Sequence, residues 1–182
     1  MAHLLLAASA SVALYKACDL ASKLTQDGHK VRALLTPRAA ELIHPQLFEA
    51  VTGEPAYVDE FTSTRRTAMD HIDLAKWADL FLAAPASADL VARFAHGLAN
   101  DLVTTTALAL PASTPRLVSP AMNPNMLAQP AVKRNLAQLA ADGWHVIEPD
   151  AGHMACGDDG KGRLPDPAAL VLRVRQALAL RK

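Results

Sequence analysis

Several short segments carry residue types suited to chemistry on an anionic small molecule. Ser9 and Ser11 stand where an apolar run gives way to a helical pattern. The free N–H groups at a helix start hold anions such as phosphate, and the same serines serve equally as an ordinary N-cap. Ser87 and Asp89, in Pro85-Ala86-Ser87-Ala88-Asp89, follow a buried strand and open a helix, so cap and ligand contact are again alternatives. In Pro120-Ala121-Met122-Asn123-Pro124-Asn125-Met126 two prolines bracket an amide and a thioether. The amide suits a carboxylate and the methionine adaptable apolar contact, although Asn-Pro is also a common turn. Cys156 lies in Ala155-Cys156-Gly157-Asp158-Asp159-Gly160-Lys161-Gly162-Arg163, a polar, glycine-rich stretch that exposes a thiol to proton exchange. His71, before Ile72-Asp73-Leu74, is either a capping residue or an acid–base group, a role for which imidazole is the usual residue type.

The surrounding elements bring these segments to one place. Residues 4–8 predict a strand, and Val12, Tyr15, Leu20 and Leu24 line one face of a helix ended by Gly28. Residues 31–35 predict a second strand closed by Thr36-Pro37, which completes a βαβ unit with parallel strands. Short helices over 39–43 and 47–51 and a polar loop over 62–67 follow. Next come a strand over 78–84 that stops at Pro85, helices over 88–95 and 98–110, and a strand over 116–119. A helix over 132–141, a fifth strand over 144–147, a glycine-rich loop over 152–162 and a last helix over 168–180 finish the chain. Strands alternating with helices predict an α/β, doubly wound parallel sheet in a single domain spanning residues 1–182. Ligands of such sheets bind at the carboxyl ends of the strands, which brings 9–11, 36–38, 85–89, 120–125 and 149–156 to one edge and adds Thr36 to the candidates. No G-x-G-x-x-G is present, so the dinucleotide fingerprint is missing.

Bulk properties exclude several classes. Eighteen basic residues balance eighteen acidic ones, so no net positive field favours nucleic acid or an anionic membrane surface. No run approaches the roughly 18 apolar residues of a spanning helix. The N-terminal apolar run has no Lys or Arg before it, which reads as a strand rather than a secretion signal. Cys18 and Cys156 read as free thiols in a reducing cytoplasm. Without a Cys-x-x-Cys pair and with scattered histidines, no metal site is expected, and no G-x-S-x-G supports a serine hydrolase.

Taken in order, the segments resemble the flavin-containing cysteine decarboxylases, over the chain from its first strand to about Pro165. Pro120-Ala121-Met122-Asn123 with Met126 is similar to that family's P-x-M-N-x-x-M signature. His71-Ile72-Asp73-Leu74, Ala84-Pro85-Ala86-Ser87-Ala88, His96-Gly97-Leu98-Ala99-Asn100-Asp101-Leu102 and Ala155-Cys156-Gly157 with Gly160-Lys161-Gly162-Arg163-Leu164 match in sequence, as does Ala13-Leu14-Tyr15-Lys16. Departures are the glycine-free first turn Ala8-Ser9-Ala10-Ser11, Asp89 where Asn is usual, and Leu127 where Trp is frequent.

The resemblance implies a flavodoxin-like (Rossmann-type) fold with FMN at the carboxyl edge, contacted by Ser9, Ser11, Thr36, Ser87, Asp89 and Met122. It implies a homotrimer with shared active sites, in some members a dodecamer, with His71 acting across the interface. In the family's chemistry FMN takes two electrons from a cysteine side chain, giving a thioaldehyde, and carbon dioxide leaves with its charge delocalised as an enethiolate. The implied catalytic residues are His71, Asn123 and Cys156, with Asn123, Met126, Ala155 and Lys161 contacting a small-molecule substrate. Asn123 would hold the carboxylate and Cys156 would deliver a proton as reduced flavin returns a hydride. That proton donor favours the coenzyme A branch, acting on 4'-phosphopantothenoylcysteine, over peptide-modifying relatives that release the enethiol. Retention of all three catalytic groups likewise argues against a non-catalytic regulatory subunit, and the P-x-M-N and A-C-G segments against a flavin prenyltransferase. With the chain ending at Lys182, a phosphopantothenate–cysteine ligase is expected as a separate protein.

Overall fold

In the computed structural model, residues 1–59, 69–155 and 157–180 are described. The polar loop expected at 62–67 and the thiol of Cys156 lie outside them.

The first βαβ unit forms from β1 (His3–Ala8), α1 (Leu14–Gln26) and β2 (Lys30–Leu35), with β1 and β2 parallel, but α1 starts after Val12 and buries Leu14, Ala17, Leu20, Ala21 and Leu24, leaving the expected Val12 and Tyr15 exposed. Then follow α2 (Pro37–Leu42), α3 (Pro45–Thr52), the two-residue β3 (Ala56–Tyr57), α4 (Asp70–Trp77), β4 (Leu80–Ala86), α5 (Ala88–Ala95) and α6 (Leu102–Ala109). The remainder is β5 (Arg116–Pro120), α7 (Pro124–Ala128), α8 (Pro130–Ala141), β6 (His145–Val146), β7 (Asp150–His153), β8 (Asp159–Arg163) and α9 (Pro167–Ala179). The main sheet is parallel in the order β3-β2-β1-β4-β5-β6. Without the short edge strand β3, this is the flavodoxin order, whose direction reverses between β1 and β4.

Residues of the central strands β1, β4 and β5 are buried on both faces, as covered parallel strands must be. Leu4, Leu6, Ala8, Leu80 and Leu82 pack with residues of α1, α2, α3 and α9. Leu5, Ala7, Phe81 and Ala83 face the opposite layer, built from α4, α5, α6 and α8. Each buried Leu contributes about 1.5–3 kcal/mol of apolar transfer, which makes this double layer the main stabilising term.

The structure corrects several boundaries. β4 runs through Pro85 to Ala86 instead of stopping, because Pro85 keeps a useful carbonyl and the ladder tolerates an irregularity between Ala83 and Ala86. α6 begins at Leu102, four residues later than expected, because Asp101 and Thr104 form a reciprocal capping box. α4 buries only Asp70, Leu74 and Ala75, too weak an apolar stripe to stand out in sequence. The expected glycine-rich loop is an antiparallel β7–β8 hairpin. Its glycines permit what a side chain would block: a Cβ at Gly162, where φ is +149°, would lie 2.1 Å from the Met122 carbonyl oxygen. The Met122 N–H donates to the Gly162 carbonyl at 3.0 Å, so this close approach seats the hairpin on the end of β5.

At the other edge of the sheet, Asp27 caps α1 and clasps α9. The Arg175 guanidinium donates to both of its carboxylate oxygens, and His29 Nε2 lies 3.4 Å away. The Arg175 hydrogen bonds, aided by the charges of Arg175 and His29 against a smaller cost of burial, hold the Asp27 carboxyl below the usual aspartate range. A depressed carboxylate contributes stability that is complete above its unfolded value, ~3.9, and is lost as pH falls through the folded one. Asp27→Asn therefore lowers Tm at pH 7, and thermal melts of variant and parent converge as the pH falls through the lowered Asp27 value, below the usual aspartate range. Gly162→Ala is expected to destabilise by about 1–3 kcal/mol in urea unfolding, with limited proteolysis cutting first within the unseated hairpin.

Candidate functional site

The carboxyl ends of β1 and β4 are locked together before any ligand is considered. The Ser9 hydroxyl is buried, donates to the Pro85 carbonyl at 3.0 Å and accepts from the Ser87 N–H at 2.7 Å, while the Ser9 N–H also donates to Pro85. Ser9 thus acts through the shape of two strand-end turns. Thr36 is similar: buried, its hydroxyl accepts from the Ala39 N–H at 3.2 Å as N-cap of α2, and its own N–H donates to Ala8 at 3.1 Å. Ser87 caps α5 by accepting from the Leu90 N–H at 3.3 Å. Asp89 is exposed in the first turn of α5 and pairs with Arg93 at 2.7 Å.

Beside this lock opens a cavity of about 390 Å³. One side is the β1–α1 connection with the first turn of α1, from Ser11 to Lys16; a second is Ala121, Met122 and Asn123 beyond β5; the roof is the hairpin, with His153, Met154, Ala155, Gly162, Arg163 and Leu164. Its walls are largely apolar, whereas its charged groups are cationic. The Lys16 ammonium donates to the Leu164 carbonyl at 3.2 Å, tying α1 to the hairpin's exit. Arg163 folds back over Gly152, where a Cβ would lie 2.5 Å from its guanidinium. His153 Nδ1 lies 3.3 Å from Asp159 across the hairpin.

The start of α1 borders the cavity, with the Leu14 and Lys16 N–H groups donating to the Ser11 and Ala13 carbonyls at 3.0 Å. The helix begins at Leu14 with no side-chain cap; Ser11 sits ahead of it, accepting from the Ala13 N–H at 3.2 Å. Backbone amides at an uncapped helix start, with apolar walls beside them, suit a ligand that combines an anionic group with a flat or apolar body. FMN and an acylated cysteine both meet that description.

Of the sequence candidates, the cavity gathers Ser11, Met122, Asn123 and Ala155. Asn123 follows β5 because Pro124 starts α7; its side-chain oxygen accepts from the Asn125 N–H at 2.8 Å. Met126, on α7, is 47% exposed and Lys161 pairs with Glu148, and neither is among the residues that line the cavity. His71 is half-buried in the first turn of α4, whose Leu74 and Ala75 pack on the opposite face of the sheet, outside the cavity wall. Sequence reasoning missed Lys16, His153 and Arg163 as wall residues. Lys16 was legible in Ala13-Leu14-Tyr15-Lys16, while the other two needed the hairpin's pairing. Among the described residues no group of three or more His, Cys, Asp or Glu is arranged to hold a metal ion, and no helix is long and apolar enough to cross a membrane.

Comparison with known proteins agrees with this architecture. A family model described as Flavoprotein matches residues 1–179. The chain is 44% identical over 169 residues to the coenzyme A biosynthesis bifunctional protein CoaBC of Bacillus subtilis, covering 93% of this chain and 41% of that protein. It therefore spans about two-fifths of the length of such bifunctional relatives. It is 41% identical over 175 residues to the probable phosphopantothenoylcysteine decarboxylase of Streptococcus mutans, covering 96% of this chain and 98% of that one. Among solved structures, a PPC decarboxylase mutant complexed with pantothenoylaminoethenethiol superposes with a TM-score of 0.80 at 30% identity, over 96% of this chain and 97% of that one. The FMN-dependent cysteine decarboxylase SpaF also gives a TM-score of 0.80 at 30% identity, over 100% and 97% of the two chains. Matched from its first strand to its last helix, the chain belongs to the flavoprotein family, among the flavin-dependent cysteine and phosphopantothenoylcysteine decarboxylases.

Proposed function

We propose that this chain is an FMN-dependent decarboxylase that converts 4'-phosphopantothenoylcysteine to 4'-phosphopantetheine and carbon dioxide in coenzyme A biosynthesis. The observation that carries this reading is the cavity itself, which combines apolar walls, the Asn123 amide and the cationic side chains of Lys16 and Arg163 under a glycine-hinged hairpin. The substrate has matching parts: a carboxylate, an apolar acyl chain and a phosphate. The likeness to a decarboxylase solved with pantothenoylaminoethenethiol supports the same assignment.

FMN supplies a two-electron sink and source at the cysteine thiol. Ser9, Ser11, Thr36, Ser87, Asp89 and Met122 form its seat in this proposal, Ser9 and Thr36 by shaping the strand-end turns. Asn123 orients the substrate carboxylate, which must lie out of the plane of the developing π system for its C–C bond to break. Lys16 and Arg163 draw the anionic substrate in, Ala155 borders it from the hairpin, and Met126 and Lys161, outside the cavity lining, contact the part of it that extends beyond the cavity. Cys156, between Ala155 and Gly157, delivers the proton that completes the saturated thiol. His71 acts as acid–base or orienting group toward the site of a neighbouring copy. Its absence from the residues that line the cavity of its own chain and the exposed Met69, Leu98 and Leu108 support a homo-oligomer, a trimer or dodecamer, that buries this side. The amide between the pantothenoyl and cysteine parts requires a phosphopantothenate–cysteine ligase upstream, proposed as a separate partner. The expected location is cytoplasmic.

Incubating holoenzyme with 4'-phosphopantothenoylcysteine and following carbon dioxide and product mass tests the proposal; a yellow protein that leaves this substrate intact while decarboxylating a peptide with a C-terminal cysteine would instead support the peptide-modifying reading. Asn123→Asp, which places a like charge against the substrate carboxylate, is expected to lower kcat/KM by about 100-fold or more, or about 3 kcal/mol. Cys156→Ser should still release carbon dioxide but yield the oxidised enethiol, two hydrogens lighter than the normal product by mass spectrometry.

A further inference from the structure

The Asn123 amide that would hold the substrate is already matched to a carboxylate of the protein. Its oxygen is committed to the Asn125 N–H at the start of α7, and its nitrogen donates to Oδ2 of Asp158 on the hairpin. The backbone beside Asp158 is pinned: the Gly157 N–H donates to the Met154 carbonyl and the Met154 N–H to the Asp158 carbonyl, both at 2.9 Å. Farther along, the hairpin is held to β5 by the Met122 to Gly162 hydrogen bond. The adjacent carboxylate, Asp159, is engaged elsewhere, with His153. Of two neighbouring aspartates, Asp158 is therefore the one brought to Asn123.

We infer that Asp158 is a built-in surrogate for the substrate carboxylate, holding the Asn123 amide until a carboxylate-bearing substrate displaces it. This rests on Asn123 being the carboxylate-binding residue proposed above. The exchange is balanced: one amide-to-carboxylate hydrogen bond replaces another, and the displaced Asp158, which is exposed, is solvated instead of being stranded. A ligand without a carboxylate has nothing to offer the amide and leaves the Asp158 contact intact. Loss of carbon dioxide returns the amide to Asp158, which favours departure of the decarboxylated product. Asp158 is thus a specificity-determining residue that acts through Asn123 and lowers apparent substrate affinity by the fraction of time the amide is occupied.

Calorimetric titration of the holoenzyme with two ligands that cannot be oxidised at sulfur tests this. One is 4'-phosphopantothenoylserine, with a hydroxyl in place of the thiol; the other is its counterpart lacking the carboxylate. Asp158→Ala should bind the serine ligand about fivefold more tightly, while its affinity for the decarboxylated counterpart stays within about twofold. Asp159→Ala removes the same charge one residue along without releasing the amide, and should leave both affinities within about twofold. Unchanged or weaker binding of the serine ligand by Asp158→Ala would overturn the inference, as would equal tightening by Asp159→Ala. Asn123→Ala should lose the preference for the carboxylate-bearing ligand. If it keeps that preference, the role of Asn123 fails and the inference with it; if the preference is lost yet Asp158→Ala shows no tightening, the surrogate role alone fails.

Discussion

The Ser9 hydroxyl, set between the ends of β1 and β4, is the interaction on which the rest of the active edge depends. It bonds the Pro85 carbonyl and the Ser87 N–H together, at the point where the sheet order reverses. Two diverging connections leave that point, one into α1 and the other into α5, and a crevice between diverging connections is where such sheets bind ligands. A hydroxyl is well suited to the task because it donates and accepts at once, giving the Pro85 carbonyl a second donor beside the Ser9 N–H and satisfying the Ser87 N–H. The price of this lock is that Ser9 has little left to offer a ligand directly.

The second organising contact lies across the cavity. Two glycines let the β7–β8 hairpin come close: Gly162 meets the backbone of Met122, and Gly152 makes room for Arg163. One side of the crevice is thereby a rigid sheet edge, the other a thin ribbon held by a few hydrogen bonds. The sheet side fixes one wall, whereas the ribbon brings the polar side chains of His153 and Arg163 to the cavity. Asn123 stands at the junction, fixed by α7 on one side and touched by the ribbon through Asp158 on the other.

The helical layers divide labour similarly. α1 and α9 are tied by apolar packing and by the Asp27–Arg175 clasp, far from the strand ends. On the opposite layer, α4 carries His71 at the active end yet outside the cavity wall. That placement fits the proposed role of His71 toward a neighbouring copy of the chain.

Apolar periodicity determined the sheet, because strands buried on both faces must be continuous runs such as Leu4 to Ala8 and Leu80 to Ala84. It determined the helices where the stripe was strong and, through strand-end position, the segments that meet at one edge. Short elements escaped it: β3 has two residues, α4 buries few side chains, and the hairpin alternates glycine with charge, so none carries a periodic apolar signal. Ordered motifs singled out Asn123 and Cys156 by residue type, yet whether Ser9 meets a ligand or another strand depends on a partner 76 residues away. The same holds for Lys16 and Leu164, 148 residues apart, and for Asn123 and Asp158, 35 apart. Local sequence specifies backbone preference and chemical type; the tertiary structure alone decided which polar groups satisfy one another and which line the cavity, because that choice is made by long-range packing.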